Sequence, residues 1–491
     1  MTAPAVPPPV RDADPAAGTL VNDIHSALNP VAVFAVARPR SVEDVRRAIA
    51  DARAAGRAVS IAGGRHAMGG QQAGEDTLLL DMTAMDRVLA FDPSAGEVEA
   101  EAGIMWPALM DWLDRAQDSA AEPWGIVQKQ TGADRLTLGG ALSANVHGRV
   151  LGRGPIVGDV AAFTLVDAAG DVRRCSREEN AGLFRLAIGG YGLFGVITGV
   201  RLRLERRRAV RRLVEVRAVE GLMDAFAARM AEGCRFGDFQ FAIDPDGDDF
   251  LREGVFSCYR DEPGDPPLPA GQRVLRREDW RRLMLLAHTD KRQATDRYIA
   301  HYLSTHGQLY RSDRAQMADY EDGYHAAIDR ATGAACPGSE MITEVYVPRV
   351  DLPAFLAAVR DDARAHGWNI VYGTVRLIER DAETVLAWAR EPWACVIFNL
   401  HVSHDEAGIA MAADAFRRLI DRALAFGGSY YLTYHAWATR PQVEAAHPRF
   451  VEFLRAKLDH DPEGRFQSAW YRHYRAMFAD ALSAPYGIAW E

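Results

Sequence analysis

SIAGGRHAMGGQQ, residues Ser60 to Gln72, sets four glycines around one histidine directly after an alternating apolar stretch. A buried strand that runs out into such a loop exposes successive backbone N–H groups with few side chains in the way. Groups arranged like that converge on an anion. The spacing also removes one reading. Gly64 to Gly69 has the GxxxxG pattern of a phosphate loop, but Gly70 and Gln71 stand where Lys and Ser or Thr must reach phosphates and magnesium. Two readings of the residues remain: a diphosphate-binding nest from Ala62 to Gly70, or a tight glycine-rich turn carrying His66 at the surface.

Working outward, VFAVARPRSVEDVRRAIADARAAG (33–56) predicts a strand, a Pro turn and a helix. Ser41 is its N-cap, Glu43 and Asp44 suit its first turn, and Gly56 ends it. RAVSIAGG is a second strand. TLLLDMT and GEVEAEAGI are further strands either side of a turn at Asp92 to Gly96, and WPALMDWLDRA is an amphipathic helix. AAFTLVDAAGDVRRC predicts a hairpin, followed by a helix from Glu178 to Ala187 and a long strand, FGVITGVRLRLERR. GYGLFG, Gly190 to Gly195, satisfies GxGxxG, but a helix precedes it and a strand follows, so no helix N-terminus faces a pyrophosphate and a Rossmann domain is not supported. The fold class is α+β.

Beyond residue 206 the texture changes. FGDFQFAIDP, GVFSCYR, MITEVYVPRV, NIVYGTVRLIE and WACVIFNLHVSH predict strands, with amphipathic helices over 351–366 and 406–426. This predicts one antiparallel sheet with helices on one face. The 491 residues suit two or three domains, and 48% apolar with 25% charged residues is ordinary globular composition. A net charge of -10 argues against nucleic acid or an anionic membrane as partner. The basic run Arg201 to Arg212 is read as an exposed strand edge or a linker. Five scattered cysteines form neither a disulfide framework nor metal spacing, which fits the cytoplasm. No run of about 18 apolar residues occurs, and the first twenty residues are read as a disordered lead-in. There is no HExxH and no GxSxG, and His401 with His404 in HVSH is too short a hint, so no metal is expected.

A second dense stretch, TGADRLTLGGALSANVHGR (Thr131 to Arg149), joins glycines, small residues and another histidine. Together with GGYGLFGVIT and the loop around His66, it resembles the flavoproteins of the vanillyl-alcohol-oxidase and p-cresol-methylhydroxylase (PCMH-type) family. The resemblance covers Phe34 to about Leu204 closely and Tyr430 to Tyr474 more loosely; the nearest branches are decaprenylphosphoryl-ribose oxidase and sugar-lactone oxidase. It implies two domains, an FAD-binding part over 1–205 completed by 429–491 and a substrate-binding part over 206–428. It implies that Ala62, Gly63, Gly64, Arg65, His66, Ala67, Met68, Gly69, Gly70 and Gln71 hold the FAD diphosphate, with His66 bonded covalently to the flavin 8α-methyl group. A second, cysteinyl bond is excluded because no Cys precedes Arg174. Thr131, Gly139, Gly140, Ser143, Asn145, His147 and Gly148, with Gly195, Val196 and Ile197, are the further expected cofactor contacts; His147 either moves a proton or only packs there. Val146, just before it, is larger than the Ala or Gly associated with oxygen access, which leaves oxidase and dehydrogenase both open.

In GGSYYLTYHAWATR, Tyr431 matches a flavin-facing Tyr of the resembling enzymes, while Tyr434 stands where they carry Lys, with His435 next to it. Strand alternation puts Tyr431, Thr433 and His435 on one face and Tyr434 on the other, so either Tyr434 or the Tyr431/His435 pair faces the flavin unless the strand ends or bulges. Either a phenol or an imidazole with a lowered pKa would take the substrate proton. Asn399 and His401 share a strand face, as do Glu344 and Tyr346, and Arg376 is a further candidate for substrate oxygens; these faces line a substrate site or meet solvent. The expected activity is FAD-dependent oxidation of a C–OH centre in a small alcohol or sugar-like substrate, with oxygen or another acceptor taking the electrons. The alternatives are a flavin-adduct synthase without net oxidation, disfavoured because no two histidines are adjacent, and a flavin-binding protein without catalysis.

Overall fold

The computed structural model describes residues 18–483 apart from 119 and 319–322. Of the expected twenty-residue lead-in, residues 1–17 lie outside them; its end is ordered, contrary to the expectation, because Thr19 and Leu20 belong to the strand Thr19–Val21, which pairs with Val31–Val33. The helix Val42–Ala54 starts where the sequence places it, because the Ser41 side chain accepts the Asp44 N–H; Gly56, at φ +61, follows its end. Its buried face, Val45, Ile49 and Ala52, packs on Val59 and Leu80. These belong to a parallel three-stranded sheet in which Leu78–Asp81 lies between Ala35–Ala37 and Val59–Ala62. The His66 loop leaves the last of these strands at its C-terminal end.

A second, antiparallel sheet is built on Val196–Arg206, with Val160–Val166 and Val172–Ser176 on one side and Glu97–Glu101 and Val88–Asp92 on the other. Two expectations change here. The strand before the Asp92 to Gly96 turn is Val88–Asp92, while TLLLD pairs in the parallel sheet instead. The basic run is no free edge: residues 199–202 are paired on both sides and 204–206 with Trp124–Ile126, Arg201 meets Glu99 at 2.8 Å, and the run then serves as the link into Ala209–Ala218 of a third sheet. Neutralisation by facing carboxylates is what lets an arginine-rich strand occupy a sheet interior.

The third sheet has eight antiparallel strands in the spatial order Leu309–Arg311, Ala209–Ala218, Glu253–Asp261, Cys234–Phe241, Ile370–Ile378, Trp393–Ser403, Gly338–Pro348 and Ser429–Tyr430. Helices do not keep to one face. Leu352–His366 and Glu406–Ala425 pack on Gly338–Pro348, but Arg277–Thr289 and Lys291–Ser304 send Met284, His288, Thr295 and Tyr298 into a cavity that Glu340 and Glu344 also line. Alternation along the strand separates Met341 and Val345, in the core, from Glu340 and Glu344. The two cavity helices escape a sequence reading because arginines and polar residues crowd their apolar stripe. Among the described residues, no helix is long and apolar enough to cross a membrane.

Candidate functional site

The glycine loop and the third sheet enclose a cavity of about 610 Å³, within the usual range for a small-molecule site. On the loop side Ala62 to Met68 and Gln71 reach it, with Thr131, Gly139, Gly140, Ser143, His147, Gly195 and Ile197; on the sheet side Glu344, Arg376 and Asn399 do. Five expected contacts shape the wall from behind instead. The Gly69 N–H donates to Gln71 Oε1, and Gln71 Nε2 donates to the Leu432 and Thr433 carbonyls, so the loop is tied to the C-terminal segment. The Gly70 carbonyl accepts the Trp470 N–H. Asn145, at φ +47, ends the helix Leu138–Ala144 and donates to Asp381. A Cβ on Gly148 would lie 2.5 Å from the Lys129 carbonyl oxygen. Val196 sits in the core under the parallel sheet.

His66 is buried in the cavity wall. Its Nε2 lies 3.1 Å from the Arg135 carbonyl, an obligate acceptor, so Nε2 carries the proton. Nδ1, 2.7 Å from His25 Nε2, then holds the lone pair. Burial, and secondly His25, push the His66 pKa down to about 3, so the ring is neutral and nucleophilic at physiological pH. The loop fits a flavin nucleotide on its own features: the Gly64 and Ala67 N–H groups meet no protein acceptor among the described residues, and the buried Thr131 Oγ1 has no hydrogen-bond partner.

Across the cavity stands a buried polar cluster. His147 Nε2 is 2.7 Å from Glu344 Oε1, and its Nδ1 is 2.9 Å from the Gly148 carbonyl. The Tyr346 hydroxyl donates to the same Glu344 oxygen at 2.5 Å. Burial raises the Glu344 carboxyl, but His147 and Tyr346 outweigh it and hold the group below the ordinary carboxylate range. Trp388 stacks on Tyr346 at 4.8 Å and packs on His147 at 5.1 Å, which fixes both rings. Tyr346 therefore sits behind Glu344 rather than in the cavity wall.

Strand geometry ends at Tyr430, so the alternation that would have set Tyr431 against Tyr434 does not apply, and both reach the cavity with Thr433. His435 does not. It is buried between Phe416 and Trp437, its Nε2 3.2 Å from Thr343 Oγ1, and burial pushes its pKa down to about 3. Tyr434 is pushed the opposite way, well above the usual phenol range, by burial and by nearby Glu344. His435 therefore stands apart from the cavity, contrary to the sequence expectation, while Tyr434 lines it with its phenol held protonated. His401 also lies outside the cavity lining, 3.3 Å from Glu340. The rest of the floor is polar. Asp238 Oδ1, Gln240 Oε1, Asn399 Oδ1 and Arg376 Nε are buried without hydrogen-bond partners, and Arg149, paired with Asp238 at 3.0 Å, and Arg212 flank them. Sequence reasoning missed His25, Arg149, Arg212, Asp238 and Gln240. Only the alternation in FGDFQFAIDP, which puts Asp238 and Gln240 on one face, offered a signal.

These features define the class of the N-terminal part. Residues 34–176 match a family described as FAD binding domain, and this part of the chain is an FAD-binding domain of the vanillyl-alcohol-oxidase and p-cresol-methylhydroxylase type. The chain is 33% identical over 192 residues to cytokinin dehydrogenase 5 of Arabidopsis thaliana, covering 38% of this chain and 34% of that protein. It is 33% identical over 167 residues to L-gulonolactone oxidase of Bos taurus, covering 34% of this chain and 36% of that protein. The chain thus spans about a third of the length of the curated relatives it matches.

Proposed function

We propose that this protein is an FAD-linked oxidoreductase that oxidises a C–OH centre of a small polyhydroxylated substrate. One observation carries the substrate class: three unpartnered buried acceptors, on Asp238, Gln240 and Asn399, face one cavity, and satisfying them takes a ligand with several hydroxyl donors. Residues 1–205 with 429–491 form the FAD part and 206–428 the substrate part; the Gln71 bonds to Leu432 and Thr433 support that grouping, while Ser429–Tyr430, paired with Gly338–Pro348, is the seam between the two. When bound, FAD supplies the hydride acceptor. The glycine loop and Thr131 would hold the nucleotide, and His66 Nδ1, with its lone pair set by the Arg135 carbonyl, is the atom that would carry a covalent link to the flavin.

Glu344 takes the hydroxyl proton. Its ionised form is stabilised by two hydrogen bonds, and an anionic acceptor beside the reacting hydroxyl speeds hydride loss from the neighbouring carbon. Arg376 orients the substrate oxygen and the Tyr434 phenol donates to it. His147 and Tyr346 position the carboxylate. Val146 lines the wall beside His147, where it limits the approach to the flavin edge.

Acid precipitation of the purified protein, followed by anaerobic flavin reduction with polyols, simple alcohols and amines, tests this reading. Yellow colour in the pellet and bleaching by polyols support it, and turnover with and without oxygen then names the acceptor. A colourless protein that takes up no FAD on refolding overturns it. Bleaching by amines alone overturns the substrate class, and persistent colour with no reductant effective favours a binding protein.

A further inference from the structure

We propose that Glu340, His288 and His401 bind a borderline divalent transition ion, Zn2+ in the first instance, while His325 stands beside the second carboxylate oxygen of Glu340. The four residues come from two helices and two strands. Glu340 and His401 are directly opposite each other on the paired strands Gly338–Pro348 and Trp393–Ser403. His288 Nε2 lies 2.8 Å and His401 Nδ1 3.3 Å from Glu340 Oε1. His325 Nδ1 lies 2.6 Å from Oε2, yet neither of its ring nitrogens is in hydrogen-bond geometry. Tyr324 donates its hydroxyl to Oε2.

His288 is what calls for a cation. Its Nδ1 is 2.8 Å from the Met284 carbonyl, so Nδ1 carries a proton and Nε2 points at the carboxylate. A lone pair on Nε2 at 2.8 Å from a carboxylate oxygen is repulsive, so a proton or a metal ion must stand between them. A ring nitrogen tied back to a backbone carbonyl is also how metal-bound imidazoles are held. Two imidazole nitrogens converging on one buried carboxylate are the donor set of a borderline cation, since ring nitrogens and a carboxylate oxygen are its usual ligands. The ligand atoms of His288, Glu340 and His401 all lie within 4.8 Å of one another. Four-coordinate zinc with bonds of about 2.0–2.1 Å sets its donors about 3.3 Å apart, so the 3.3 Å separation of His401 from Glu340 already fits and the 2.8 Å separation of His288 from Glu340 would open by about half an ångström. His401 reaches the site because residue 338 is glycine; a Cβ there would lie 2.5 Å from its Cε1. Mixed imidazole and carboxylate donors without a thiolate suit Zn2+ and its neighbours, not Ca2+ or Mg2+. Glu340 and His288 also line the cavity, so an oxygen of a cavity ligand can complete the coordination.

HVSH hid this site, because its two histidines part company. His401 turns to Glu340, while His404 Nε2 bonds Ser339 Oγ at 2.8 Å.

The test uses the full-length, tag-free flavin-containing protein, stripped with a chelator and titrated with Zn2+ against a chromogenic chelator, with X-ray absorption at the zinc edge. One tightly held zinc per chain with imidazole ligands is expected, weakened at least about 100-fold in E340Q and in H288A and unchanged in H404A. Absence of stoichiometric zinc from the wild type, or undiminished binding in E340Q, overturns the proposal. Should H288A fail to fold by circular dichroism, the near-isosteric E340Q decides. The readout does not pass through the flavin, so it stands apart from the fate of the oxidoreductase reading.

Discussion

Replacing His435 by Gln separates a structural histidine from a catalytic one. His435 is 1% exposed, stacked 4.8 Å from Phe416, and its pKa falls to about 3. An unfolded histidine titrates near about 6.5. The folded value is depressed, so between the two the unfolded chain binds the extra proton. The stability His435 confers is therefore complete above pH 6.5 and is lost as pH falls toward 3. At pH 5 the loss is RT ln(1 + 10^1.5), about 2 kcal/mol from this residue alone. Urea denaturation followed by tryptophan fluorescence at pH 7.5 and 5 measures it. The wild type should lose about 2 kcal/mol more than H435Q between the two pH values, while at pH 7.5 the variant is weaker by about 1 kcal/mol for the altered Thr343 bond. Anaerobic flavin reduction should be unchanged, because His435 does not line the cavity. An equal pH-dependent loss in both proteins would refute the buried neutral ring, and a large fall in reduction rate would restore His435 as a catalytic residue.

H66A should release its yellow colour into the acid supernatant where the wild type keeps it in the pellet. E344Q should slow anaerobic flavin reduction by about 10²–10⁴-fold, while Y346F, which only removes a bond to that carboxylate, slows it less. Because His147 and Tyr346 hold Glu344 below its usual 4.5, the wild-type rate should stay level as pH falls to that value and drop only beneath it. R376M should raise KM for polyols more than it lowers kcat, measured by steady-state turnover. G103A should lower the melting temperature, since a Cβ there would lie 1.9 Å from the Met82 carbonyl oxygen, an overpacking cost of about 1–3 kcal/mol.

By itself the sequence determined what is local. The Ser41 cap, the hairpin through Gly170, the inverted context of GYGLFG, and the strands and two helices after residue 206 follow from propensity, period and turn chemistry acting over a few residues. The glycine loop around His66 was legible as a loop for the same reason, since glycines after a buried strand describe exposed backbone, but the residues left a cradle and a tight turn both open. Tertiary structure alone decided which polar groups meet. His25 comes to His66 from 41 residues away, and Glu344 to His147 from 197. The strand ending at Tyr430 brought Tyr431 and Tyr434 to one cavity and turned His435 into an aromatic core, which no alternation rule contains. Protonation follows from that arrangement, because burial and facing partners, not residue type, favour an ionised Glu344, a protonated Tyr434 and a neutral His66.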